Sequence, residues 1–170
     1  MNKLGYERHY ALVDDYIDHT DGYVQSITDA FIKTRFTGFL SVNAVTVYEL
    51  CIKEIFVEFA VRKHAVFGQY VTNKFSRLNG RIKVSDLVDM AKVFGDKYSD
   101  RLRRNLDHEE DKILKSDSAS ILSSYGNIIV WRHGFAHRGE LPGNATYGEA
   151  KQSYLLGKNV IAVLDKSMKR

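Results

Sequence analysis

Proline is almost missing from this sequence: Pro142 is the only one in 170 residues. Proline removes a backbone donor and collides with the preceding helical turn, so a chain nearly free of it can build long uninterrupted helices. The apolar residues recur accordingly. Over residues 10 to 33, Val13, Tyr16, Ile17, Tyr23, Val24, Ile27 and Phe31 stand about three and four apart, which predicts a helix with Gly22 as its weak point. Gly38 is expected to separate it from a second helix over 39 to 63, where Leu40, Val47, Leu50, Cys51, Ile55, Phe56 and Phe59 form a wide apolar face.

Further along, a shorter helix over 67 to 78 is expected to stop at Asn79-Gly80. Ser85 is the expected cap of an amphipathic segment ending at Gly95, and the highly charged residues 96 to 115 read as a solvated helix-and-loop region. Ser118 or Ser120 starts the next helix, with Ile121, Ile128 and Phe135 as its stripe and Gly139 and Pro142-Gly143 as its stop. Thr146 and Glu149 form a capping box before a last helix containing Tyr154, Leu155, Val160, Ile161, Val163 and Leu164. No stretch alternates with a period of two. The expected class is all-α, about five to seven helices in a single domain over 1–170.

Composition narrows the function classes. Hydrophobic residues make up 44% and charged residues 27%, enough for a core and against disorder. The formal charge of +4 is compatible with a polyanionic partner without requiring one. The lone Cys51 excludes an intrachain disulfide and a multi-cysteine zinc site, and within its apolar run it reads as a buried free thiol. The first eight residues lack the apolar core of a signal peptide, and no apolar run approaches the ~20 residues of a membrane span. A soluble, cytoplasmic protein with no membrane partner is expected.

One stretch concentrates chemistry: Trp131-Arg132-His133-Gly134-Phe135-Ala136-His137-Arg138-Gly139, the end of an apolar helix. At ~100° per residue Arg132, His133 and His137 fall at about 0°, 100° and 140°, read as one sector beside the Ile121–Ile128–Phe135 stripe. Arg132 lies nearest that stripe, so its stem is expected to be partly packed with its guanidinium reaching outward. An arginine grips a phosphate in two places, and a histidine exchanges a proton near neutral pH. Together they suit phosphodiester chemistry on RNA, whose own 2′-OH is the nucleophile.

Arg132-His133-Gly134-Phe135-Ala136-His137 matches the motif of an arginine, four to six residues and a histidine that marks the HEPN superfamily. The run from Val42 to Ile55 resembles the long second helix of two HEPN groups, RiboL-PSP among them. In layout the resemblance covers roughly residues 14 to 169. His133 departs from the motif, where Asn or Asp is more usual. The resemblance implies a helical bundle that dimerises so that two motifs share a cleft. It also implies metal-independent RNA cleavage leaving a 2′,3′-cyclic phosphate, with no cofactor. Carried over, Arg132 holds the phosphate, His137 transfers a proton and His133 is auxiliary. A toxin or antiphage-defence role, with an antitoxin or defence-system partner protein, follows from the resemblance alone. So does the alternative of a catalytically silent dimeric module that binds a protein or nucleic acid.

Other patterns compete. Cations near a helix C-terminus are favoured by its dipole whatever their function. Arg103-Arg104-Asn105-Leu106-Asp107-His108 fits the same spacing but runs into acidic Glu109-Glu110-Asp111; Arg103 and Arg104, like Arg138, are read as candidate RNA contacts. His133 and His137 have the i,i+4 spacing of zinc ligands but lack a third ligand, so no metal site is assigned. Glu49 and Glu54 are auxiliary acidic candidates, facing the cleft or serving as ion-pair partners.

Overall fold

In the computed structural model, residues 5–76, 78, 80, 82–141 and 145–169 are described. After a short 3-10 turn, Gly5–Tyr10, come α1 (Ala11–Ser26), α2 (Ala30–Lys63), α3 (Ala65–Lys74), α4 (Val84–Lys92), α5 (Asp96–Asp117), α6 (Ile121–Arg138) and α7 (Tyr147–Met168). Among the described residues these are seven α-helices and no strand, an all-α bundle as the periodicity predicts.

The axis of the bundle is α2. Its 34 residues extend about 50 Å, and α1, α3, α6 and α7 lie against it, while α5 joins α4 to α7. One core cluster draws on every helix. Its centre is a stack of Tyr125 and Tyr154 on either side of Tyr48, with ring centroids 5.1 and 6.0 Å away. Each hydroxyl finds an acceptor: Tyr48 donates to the Tyr154 carbonyl, Tyr125 to the Ile82 carbonyl (both 2.7 Å), and Tyr154 to the Asp14 carboxylate (2.9 Å). Cys51 is a buried free thiol, 3.4 Å from the Tyr6 carbonyl, and burial pushes it up to about 12.

Helix boundaries follow caps more than glycines. The expected break at Gly38 is not there: Gly38 lies inside α2, and Gly22, the expected weak point, lies inside α1. The break falls instead at residues 27–29, where the Asp29 carboxylate accepts from the Phe31 and Ile32 N–H groups at 2.8 and 3.2 Å. The cap of α4 is not Ser85, which lies inside its first turn; Asp86 reaches back to the Lys83 N–H at 2.9 Å. The helix expected over 67 to 78 spans Ala65–Lys74. Residues 96 to 115, expected as helix and loop, belong to one continuous helix held by the narrow stripe Tyr98, Leu102 and Leu106. Ser120 caps α6, and Thr146 with Glu149 caps α7. Asn79, Pro142 and Gly143 lie outside the described residues.

Gly38 serves packing. A Cβ there would overlap the Phe135 ring of α6, so glycine sets how closely α2 and α6 approach. Gly22, also helical, has nothing within 4 Å of its Cβ position. The pair predicts opposite signs. Overlap at Gly38→Ala costs about 1–3 kcal/mol and outweighs the gain of about 0.5–1 kcal/mol from alanine in a helix, so urea midpoints should fall. Gly22→Ala carries only the gain and should raise them.

Candidate active site

Both ends of α6 are fastened by other elements. At its start Ser120 Oγ accepts from the Ser123 N–H at 2.9 Å, and Glu110 Oε2 of α5 accepts from the N–H groups of Ile121 and Leu122 at 2.9 and 3.1 Å. A carboxylate there also meets the positive end of the helix dipole. At its finish Gly139 takes a left-handed conformation (φ 68°), its N–H returns to the Phe135 carbonyl, and its own carbonyl accepts from Arg35 Nη1 at 3.2 Å.

Between those ends the motif residues point in different directions. Ile121, Tyr125, Ile128 and Trp131 are buried; Val130, His133 and His137 are exposed. Arg132 is half-buried, and its Nη1 lies 3.3 Å from where a Cβ on Gly80 would stand. Gly80 holds a positive φ of 76°, and its N–H donates to Glu49 Oε1 at 2.6 Å. Glu49 thus holds Gly80, and the missing side chain of Gly80 admits the guanidinium. Arg132 is partly buried as expected, but its guanidinium, expected to reach outward, lies beside Gly80.

An open cleft of about 260 Å³ begins here, lined among others by Val45, Gly80, Lys83, Arg132, His133 and Arg138. Three cations therefore border it. His137 stands outside, on the solvent face of α6, its ring 4.5 Å from that of His133 and tilted 51°. Of the three residues read as one sector, Arg132 and His133 line the cleft, and His133 connects it to His137.

The other sequence candidates are placed elsewhere. Glu54 is held by the N-terminal turn, 2.7 Å from Arg8 Nη1 and 2.6 Å from His9 Nε2. Arg103 pairs with Asp100 at 3.4 Å, both more than half exposed, and Arg104 is exposed; both lie on α5, and none of these lines the cleft. Glu110, read in the sequence as part of an acidic patch, serves α6 as a cap. Among the described residues no group of three or more His, Cys, Asp or Glu is placed to hold a metal ion, and no helix is long and apolar enough to cross a membrane. Sequence reasoning passed over Lys83, Arg35 and the bracing role of Gly80, whose only signal was a glycine read as a helix stop.

The brace is testable without an activity assay. Glu49→Ala leaves the Gly80 N–H without its acceptor and should cost about 1–3 kcal/mol in urea unfolding. Amide exchange at Gly80 should accelerate, and Glu49→Gln, which keeps an acceptor oxygen, should recover most of the loss.

No curated protein and no solved structure matches the chain. The family model described as RiboL-PSP-HEPN matches residues 7–170. That match runs from the N-terminal turn through α7, over a helical bundle whose sixth helix ends in the arginine–histidine motif, and the chain belongs to the RiboL-PSP-HEPN family.

Proposed function

We propose that the protein is a homodimeric, metal-independent endoribonuclease. The observation that carries this reading is the cationic cleft in which the braced guanidinium of Arg132 stands beside His133 at the end of the motif helix. Arg132 grips a non-bridging pair of phosphate oxygens, where its planar fork matches the charge that grows as phosphorus becomes five-coordinate. Arg138 and Lys83 add field at the rim.

Cleavage then needs two proton transfers. A neutral imidazole takes the proton of the RNA 2′-OH as that oxygen bonds to the adjacent phosphorus. An imidazolium gives a proton to the 5′-oxygen as the P–O5′ bond breaks. The products are a 2′,3′-cyclic phosphate and a 5′-hydroxyl, with protons and charge balanced. His137 is the principal proton carrier and His133 its auxiliary.

His137 does not line the cleft of its own chain, and Val130, 59% exposed and at the edge of that cleft, stands one and two turns before the histidines on the same side of α6. Pairing two copies through this side brings His137 of each toward the Arg132 cleft of the other and covers Val130. A toxin or defence role, and a protein that restrains it, extends the same kinship to the biology.

RNA incubated in excess EDTA should be cut by the wild type into fragments with cyclic-phosphate ends. Arg132→Ala and His137→Ala should lose at least about 100-fold in rate, the usual scale for removing a transition-state donor or an acid–base group. Equal RNA survival with all three proteins favours a silent binding module instead. Sedimentation at micromolar concentration should show a dimer that Val130→Asp converts to a folded monomer; a monomeric wild type removes the composite site.

A further inference from the structure

Two large rings stand in solvent beside the motif helix. Phe31 is 64% exposed and Phe39 54% exposed. They lie on α2 with Arg35 midway between them. Steps of four residues turn only ~40° around a helix and advance ~6 Å, so the three side chains form one shallow stripe about 12 Å long. The Arg35 guanidinium carbon lies 4.5 Å from the Phe31 ring centroid and 5.6 Å from that of Phe135. Phe39 meets Phe135 edge-on, centroids 5.5 Å apart.

The stripe is fixed to the site. Phe135 lies inside the motif, between Arg132 and His137, seated over Gly38. Arg35 also bonds the carbonyl of Gly139, the residue that ends α6. Phe135 packs α6 on α2, but neither Phe31 nor Phe39 belongs to the core cluster, so the needs of the fold do not account for those two.

We infer that Phe31, Arg35 and Phe39, backed by Phe135, form a stacking subsite for unpaired bases of single-stranded RNA flanking the scissile phosphate; this rests on the ribonuclease reading above. Every base presents a flat π face that stacks on phenylalanine, and a guanidinium lying over a ring keeps its N–H edge for a phosphate. Bases in a duplex already have their faces covered, so the subsite selects unpaired strands. An apolar protein surface fits the stripe less well: it would desolvate Arg35 without bringing an acidic partner, whereas RNA brings a phosphate with each base.

The test is binding, in the His137→Ala protein so that RNA is not consumed. A fluorescein-labelled oligouridylate and its abasic counterpart are titrated by anisotropy, with and without Phe31→Ala and Phe39→Ala. Each lost ring should weaken the base-bearing strand by about 5- to 150-fold and leave the abasic strand unchanged. Phe39→Trp should keep the affinity, and its emission should be quenched by the base-bearing strand alone. Unchanged affinity for the base-bearing strand overturns the subsite while leaving cleavage by the wild type intact. A Phe31→Ala/Phe39→Ala protein that sediments as a monomer, when its parent is a dimer, overturns it too, because the rings then belong to the subunit contact. Binding of neither strand, with no cleavage by the wild type, removes the subsite and the ribonuclease reading together.

Discussion

Three tyrosine hydroxyls buried at the centre of the bundle hold the remainder in place. A buried hydroxyl without a partner costs more than a satisfied one contributes, so Tyr48, Tyr125 and Tyr154 admit only arrangements in which α7, Ile82 and α1 present the acceptors. Stacking brings the rings together; hydrogen bonding decides their register. The Tyr125 bond matters most for the site, because its acceptor is the Ile82 carbonyl, two residues beyond Gly80. The same interaction that orders the core therefore holds Ile82, close in sequence to the Gly80 beside which Arg132 lies.

The reactive groups inherit their places from this frame. Gly38 lets Phe135 close on α2, and that approach sets α6 beside Val45 and Glu49. Glu49 then holds Gly80, and Gly80 receives the arginine. A guanidinium seated in this way loses less freedom on meeting a phosphate than one swinging in water. The histidines are built differently, on an exposed face with no such seat. One chain thus seats its arginine and leaves its two histidines unsheltered, the asymmetry on which the proposed pairing of two copies rests.

Much of this was legible in local sequence. Ser120, Thr146 with Glu149, Gly139 and the buried Cys51 act within a turn or two of themselves, and local chemistry suffices to read them. The glycines misled, because what Gly22 and Gly38 do inside a helix is decided by what stands opposite: open space for one, Phe135 for the other. Heavy charge concealed α5, whose apolar stripe is only one residue wide at each turn. The Glu49–Gly80 contact was not legible, since it joins residues 31 apart through a loop that no periodicity describes.

Glu110 and Arg35 hold opposite ends of α6 from separate helices. A rod clamped at both tips can neither roll about its long axis nor slide lengthwise without breaking one clamp. Any widening of the cleft must therefore come from its opposing wall, leaving the guanidinium and the imidazoles stationary while their surroundings adjust.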